Sequence, residues 1–413
     1  MPVMPVLTDF VVFSHLRWDF VFQRPQHLLT RCAADHRVFY IEEPVFGAEG
    51  TVPFMETGER ANGLVVAVPH LPSGMPAPDV DAALGDLVDR LFAAENITDF
   101  MLWYYTPMAL PFTRHLKPLG VVYDCMDELS LFKGAPPQLL PLERELFARA
   151  DIVFTGGQTL FEHKRALHGN IHAFPSSIEA HHFGRARDAA LEEAGDQRHI
   201  PGPRIGFIGV IDERMDLDIL EGVAAARPGW SVVVVGPVVK VDPETLPRLP
   251  NIHYLGPRPY QDLPAYLKGW DAAILPFALN DSTRFISPTK TPEYLAAGVP
   301  VVSTPIRDVV TPYGDRGLVL VADTPEAFTK AIERQLTAAA GAREAWLGRV
   351  DAFLASGSWE ITWGRMLGLI HTVVGGKSAG ARAVPRTLAL PPPVPGPSAA
   401  SVPRSACKTP APA

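Results

Sequence analysis

The segment Ser287-Pro288-Thr289-Lys290-Thr291-Pro292-Glu293-Tyr294-Leu295-Ala296-Ala297-Gly298-Val299-Pro300-Val301-Val302-Ser303 sets a cation and a carboxylate three residues apart at the start of a short helix. Ser287 is a helix-capping type and Pro288 fits the first helical position. Gly298 suits the left-handed position just past a helix end, and Pro300 opens a strand. A helix N-terminus gathers unpaired amides and partial positive charge, which suits phosphate. Lys290 adds a full charge in the first turn, and Glu293 falls on the same face. Phosphates on the cation and ribose hydroxyls on the carboxylate would make a nucleotide site. The competing reading is a surface ion pair, which contributes little. Pro292 removes an amide donor and disfavours helical geometry at Thr291, so either the first turn is loose or the regular helix begins only at Pro292.

Other loops carry candidate chemistry. Gly209 ends the strand-like run Ile205-Gly206-Phe207-Ile208, where backbone can approach a ligand closely, and Arg214 follows in Asp212-Glu213-Arg214 with a guanidinium suited to a diphosphate. Gly236-Pro237 reads as a turn. Gly256-Pro257-Arg258-Pro259 is a stiff loop whose backbone groups could read the edge of a base. The run Tyr123-Asp124-Cys125-Met126-Asp127-Glu128 gathers three carboxylates at a strand end, which is unfavourable to bury without a task, and one of them suits a general base. Asp127 is favoured over Asp124, which lies nearer the strand; a capped helix start with solvated carboxylates is the alternative. His15 stands beyond another strand end, with Arg17 and Arg24 following as candidate anion binders. Trp18 reads as packing rather than a sugar platform. His181-His182 lacks further ligands at metal-binding spacing, and no metal site is expected.

These loops hang on an alternation of apolar runs and helical patterns. Runs at Phe10–Ser14, Val38–Ile41, Leu64–Val68, Phe100–Tyr104, Gly120–Tyr123 and Asp151–Thr155 enclose helical patterns at Arg24–Ala34, Val80–Ala94, Leu139–Ala150 and Gln158–Leu167. A second series runs through Arg204–Gly209, Ser231–Val235, Ile252–Leu255, Asp271–Leu275, Pro300–Ser303 and Gly317–Val321, with helices at Asp216–Ala226, Tyr260–Lys268 and Pro325–Ala340. Such alternation means parallel sheets covered on both faces. The fold class is therefore α/β, with two Rossmann-like domains facing a cleft. The expected boundaries are 1–185 for the first domain, 186–203 for a charged, Pro-containing linker, and 204–357 for the second domain. A helix over 358–376 would cross back to the first domain, and 377–413, rich in Pro, Ala and Ser, is expected to be disordered. Open parallel sheets bind ligands beyond the carboxyl ends of their strands, which puts the loops above into the cleft.

Bulk properties narrow the classes. The chain has 413 residues, 47% of them hydrophobic and 20% charged, as in ordinary globular proteins. A formal charge of −8 argues against nucleic acid as a partner. Cys32, Cys125 and Cys407 form no metal or disulfide pattern, no charged leader with an apolar core opens the chain, and no apolar run approaches about 20 residues. A cytoplasmic protein is expected. Peripheral contact with the inner face of a membrane stays open, with the basic tail as one candidate tether.

Three stretches, Phe-Ile-Gly-Val-Ile-Asp-Glu-Arg, Leu-Gly-Pro-Arg-Pro-Tyr-x-x-Leu-Pro-x-Tyr-Leu and Ser-Pro-Thr-Lys-x-x-Glu-Tyr-Leu-Ala-Ala-Gly-x-Pro-Val-Val-Ser, together resemble the donor-binding domain of GT-B glycosyltransferases. The likeness is nearest to bacterial enzymes that build surface polysaccharides, including teichuronic-acid-type transferases. Gln23-Arg24-Pro25-Gln26-His27-Leu28 and the Tyr-Asp-x-x-Asp-Glu run resemble the amino-terminal end of the same group. The resemblance implies a nucleoside diphosphate sugar donor, with uridine as the expected base. It implies a glycan or lipid-linked acceptor. It places Lys290 and Arg214 on the diphosphate, Glu293 on the ribose, and Gly256 and Arg258 near the base, with Gly209 and Ser287 completing the donor side. Asp127, His15 or Asp124 would serve the acceptor hydroxyl, with Arg17, Arg24 and Tyr105 on the acceptor side. No cofactor is implied, and no metal, because basic groups and helix ends offset the leaving diphosphate. One departure stands out. Retaining members often carry two glutamates separated by seven residues; with Glu293 as the second, Phe285 occupies the first position. A GT-B-like epimerase or phosphorylase and a non-catalytic sugar-nucleotide-binding module are the alternative readings.

Overall fold

The computed structural model describes residues 9–50 and 52–380. The first sheet is built from β1 (Asp9–Phe13), β2 (Arg37–Ile41), β3 (Val45–Gly47), β4 (Phe54–Glu59), β5 (Val65–Pro72), β6 (Phe100–Tyr104), β7 (Gly120–Cys125), β8 (Ile152–Thr155) and β9 (Ile171–Ala173). Its order is β3-β5-β2-β1-β6-β7-β8-β9, with β4 added antiparallel on β5. The second sheet holds β10 (Arg204–Ile208), β11 (Ser231–Val235), β12 (Ile252–Gly256), β13 (Ala272–Leu275), β14 (Val301–Ser303) and β15 (Val319–Val321), in the order β12-β11-β10-β13-β14-β15. The fold class is that expected from the alternation. The short, largely exposed β3 and β4, the partly exposed β9 and the helix Ala340–Leu354 were not among the expected elements, because their apolar patterning is weak. The helix at 325 ends at Leu336 rather than 340.

Alternate residues of each central strand enter opposite layers of core. Phe10 and Val12 join one cluster with Trp103 and Tyr40, while Val11 and Phe13 join another with Leu102 and Tyr104. Ile205 and Phe207 pack with Val232 and Val234, and Val233 and Val235 pack on the other face with Leu275 and Tyr294. A period of two, buried on both sides, is what a covered parallel sheet requires.

The strand order also sets the cleft. From β1 the chain steps outward to β2 and later returns to the other side of β1 as β6; from β10 it steps to β11 and later returns as β13. At such reversals, neighbouring loops leave in opposite directions and open a crevice at the carboxyl ends of the strands. His15 and Tyr105 follow β1 and β6, and Gly209 follows β10.

The last helix, Trp359–Gly380, returns to the first sheet. Trp359, Trp363, Met366, Ile370 and Val374 recur at helical spacing and enter the cluster of Phe10, Val12 and Trp103. Trp359 stacks on His27 with ring centroids 4.6 Å apart. The tail expected to be disordered lies outside the described residues from 381 onward; its first residues, to Gly380, complete this helix. Replacing Trp359 by Ala should destabilise the protein by about 3–5 kcal/mol. Urea unfolding should show it as a lower midpoint with an unchanged slope.

Candidate functional site

Both sheets present their strand ends to one cleft. Its wall includes Trp18, Phe22, Arg24 and Asp127 from the first half, and Gly209, Arg214, Arg258, Ser287 and Lys290 from the second. Seven of the residues predicted from sequence thus meet there, and Glu293 stands directly behind Lys290. Gly256 ends β12, next to Pro257 on the wall.

The motif at 287–303 is a seven-residue helix, Lys290–Ala296. The expected start, with Ser287 as cap and Pro288 as first residue, is corrected. A helix from Pro288 would need the 292 amide to bond the Pro288 carbonyl, and Pro292 has no amide hydrogen. The turn instead closes through Thr291 N to Pro288 O, 3.3 Å. At the other end Gly298 has φ +77, and Val299 N donates to Tyr294 O at 3.0 Å, so the left-handed exit is as expected.

Lys290 Nζ lies 2.5 Å from Glu293 Oε2, with the carboxylate side chain only 6% exposed. This is a desolvated pair at the edge of the cleft, which overturns the surface-pair alternative. Burial pushes the Glu293 carboxyl up, against the Lys290 charge. An anion that competes for Lys290 would free Glu293 as an acceptor for hydroxyls.

Arg214 is gripped by Asp212 through Nε to Oδ1, 3.0 Å, and Nη2 to Oδ2, 2.6 Å. Its guanidinium also lies 5.6 Å from the ring centroid of Phe132, which comes from the first half; Lys240 Nζ lies 5.9 Å from the same ring. Arg258 is fixed by Asp196, 2.5 Å, and by Tyr266 Oη, 2.5 Å, so the Gly256–Arg258 loop is rigid and offers backbone. Gly236, expected to be a plain turn, has φ +148, and a Cβ there would overlap the Gly209 carbonyl oxygen. Gly236 N donates to Gly256 O at 3.0 Å. The three glycines thus form one closely packed floor at the ends of β10, β11 and β12.

On the opposite side, Asp127 is half-buried; its carbonyl accepts from Cys125 Sγ at 3.5 Å, and its carboxylate has no hydrogen-bond partner among the described residues. Burial raises its carboxyl pKa, while Arg214 and Arg24 act in the opposite sense. That is the state of a strengthened base facing a cationic wall. Asp124, a second catalytic candidate, is corrected: it is fully buried and receives Arg24 Nε at 3.1 and 3.0 Å. Arg24 is corrected with it, since its guanidinium is held by Asp124 and by Phe174 O, 2.7 Å, and is not available to a ligand. Tyr105, expected to line the acceptor side, is 1% exposed and packs in the core beside Trp103. Arg17 is turned away from the cleft onto Glu42, 2.8 Å, and the Glu43 carbonyl, 2.7 Å. His15 follows β1 as expected. Burial lowers its pKa to about 4, against a backbone hydrogen bond with Tyr105, so the ring is neutral at pH 7.

Sequence reasoning missed several groups at the cleft. Asp212 had a signal, two residues ahead of Arg214. Phe132 and Phe22 had none, and Tyr260 and Glu179 stood in stretches noted for their resemblance but were given no role, because each acts across the two halves. Phe22 stacks on Tyr260 at 4.3 Å, and Tyr260 Oη donates to Glu179 Oε2 at 2.8 Å. Glu179 also accepts from Arg31 at 2.9 Å. His182 stacks on Tyr260 at 4.5 Å. Among the described residues, no group of three or more His, Cys, Asp or Glu side chains is arranged to hold a metal ion.

Residues 202–338 match the family described as Glycosyl transferases group 1. The match is confined to this segment. It carries Gly209, Arg214, Arg258, Ser287, Lys290 and Glu293. TuaH of Bacillus subtilis, named as a teichuronic acid biosynthesis glycosyltransferase, is 28% identical over 242 residues, covering 54% of this chain. The chain spans 59% of the length of that curated relative. Among solved structures, sucrose-phosphate synthase from Thermosynechococcus elongatus superposes with a TM-score of 0.65 at 15% identity, over 89% of this chain and 100% of that one. HepE from Anabaena, in complex with UDP, gives 0.60 at 11% identity, over 89% and 100%. A UDP-forming trehalose-phosphate synthase from Burkholderia xenovorans gives 0.62 at 15% identity, over 89% and 99%. The matched segment therefore sits in a GT-B fold, with a second α/β unit facing it across the cleft.

Glu179 joins the two halves by a titratable contact. His27, whose ring nitrogen lies 3.7 Å away, and Arg31 hold its carboxyl well below the usual carboxylate range, against partial burial. A depressed carboxyl contributes stability above its unfolded value of about 4.3, and loses it as pH falls toward the folded value. Thermal unfolding followed between pH 7 and pH 3 should show Glu179→Gln less stable than wild type at pH 7. The gap should narrow below about pH 4.5.

Proposed function

We propose that the protein is a glycosyltransferase that moves a sugar from a nucleoside diphosphate sugar to a hydroxyl of a glycan or lipid-linked acceptor in surface polysaccharide synthesis. One observation carries this reading: two cations of the matched segment, Lys290 and Arg214, share a cleft with a carboxylate of the facing half, Asp127, that has no hydrogen-bond partner among the described residues. A UDP-sugar is the proposed donor, supported by the UDP named for HepE and the UDP-forming synthase. The link to TuaH supports surface polysaccharide as the setting. We place the reaction at the cytoplasmic face, with peripheral membrane contact. Among the described residues, no helix is long and apolar enough to cross a membrane.

In this reading the diphosphate lies against Arg214 and Lys290, the ribose hydroxyls bond Glu293, and the base lies at the Gly256–Arg258 loop. The acceptor hydroxyl attacks the anomeric carbon as Asp127 takes its proton. The bond from that carbon to the diphosphate oxygen breaks, and nucleoside diphosphate leaves with its charge offset by Lys290 and Arg214. Asp127 suits the base role better than His15. Asp127 lines the cleft wall, whereas His15 is not part of that wall. Phe285, where a sugar-gripping carboxylate would stand in many relatives, supplies none. The charges of the wall suffice for the leaving group, and we propose no metal or other cofactor.

The reading is tested by nucleoside diphosphate release across a panel of donors. Lys290→Ala and Arg214→Ala should each lower kcat/KM by about 10²–10³-fold. Asp127→Asn should lower kcat by about 10²–10⁴-fold while UDP still binds. Full turnover in all three variants would sink the assignment. Donor binding without any release would instead identify a sugar-nucleotide-binding module.

A further inference from the structure

We propose that Asp308, outside the cleft, is a positioning residue for this transfer: it caps a helix of the facing half and so holds Asp127 in register with Lys290 and Arg214. The inference rests on the transferase reading. The helix Gln158–Lys164 follows β8 and begins after Gly157, which has no side chain to cap it. The cap comes instead from 150 residues further along the chain. Gln158 N donates to Asp308 Oδ2 at 2.8 Å, and Thr159 N donates to Oδ1 at 3.0 Å. Thr159 Oγ1 donates to the same oxygen. Asp308 is 6% exposed, so these bonds are shielded from water.

The capped helix touches the Asp127 loop at both ends. At its start, Gly156 N donates to Cys125 O at 2.9 Å, and a Cβ on Gly156 would strike the backbone of Met126. At its end, Lys164 Nζ lies 2.7 Å from Glu128, the residue after Asp127. A shift of this helix therefore moves the loop.

The other side of the contact leads to the donor wall. A Cβ on Gly157 would meet both Asp308 Oδ2 and, at 2.9 Å, Ser287 Cβ. Ser176 Oγ donates to Ser287 O at 3.4 Å. Phe285 is 7% exposed and packs with Leu160 and Val153 of the first half. Phe285 is thus part of the seam that aligns the halves.

Asp308→Ala and Gly157→Ala approach the contact from opposite sides. Each should lower kcat for nucleoside diphosphate release by about 10–100-fold, the scale of a 1 Å misplacement. Each should leave the Kd for UDP within about threefold, because the proposed diphosphate groups all lie in the second half. The double variant should be no worse than the poorer single one. Small-angle scattering should show a larger radius of gyration for both single variants. Unchanged kcat and unchanged radius of gyration in folded variants would overturn the proposal. So would a loss of UDP affinity equal to the loss of kcat. If the wild type released no nucleoside diphosphate, the transferase reading would fail, while scattering would still decide whether Asp308 holds the halves together.

Discussion

A cation withdrawn from water needs a carboxylate near it, and that constraint shapes the whole cleft. Four basic side chains reach its wall, and each has its own partner: Arg24 with Asp124, Arg214 with Asp212, Arg258 with Asp196, and Lys290 with Glu293. The partners differ in what they allow. Asp124 is buried with Arg24, and that pair is part of the frame. Asp196 comes from the segment between the sheets and stiffens the loop that carries Arg258. Asp212 and Glu293 hold cations that still face open space.

The frame then decides what those charges face. Two strand-order reversals turn their loops toward each other, and the halves are joined on either side of the opening by different chemistry. On one side Phe22 lies on Tyr260 above Glu179; on the other Asp308 caps a helix beside Phe285. The cation–aromatic contact of Arg214 with Phe132 bridges the middle.

Much of the second half's share of the cleft wall was legible before the structure because its residues are close in sequence. Lys290 and Glu293 are one helical turn apart, Gly298 marks the helix exit, and Arg214 follows a strand by a few residues. The acceptor side was less legible. Arg17, Arg24 and Tyr105 were reasonable candidates at strand ends. Arg17 and Tyr105 are kept out of the cleft, and Arg24 is tied down at its wall, by a partner or packing neighbour far along the chain: Glu42, the core beside Trp103, and Asp124. The helix start at Lys290 was legible in principle, since Pro292 cannot donate the bond that a start at Pro288 needs.

Local order by itself determined the alternating strands and helices, the left-handed glycine at 298 and the pairing of Lys290 with Glu293. These depend on periodicity of two or 3.6 residues and on backbone chemistry within one turn. Tertiary structure alone decided which carboxylate is left without a partner. Asp124 and Asp127 are three residues apart and nearly interchangeable in the sequence. Arg24, a hundred positions away, reaches the first and not the second. A long-range ion pair has no sequence period; the sequence favoured Asp127 only by its greater distance from the strand, and the partner that takes Asp124 came from the fold.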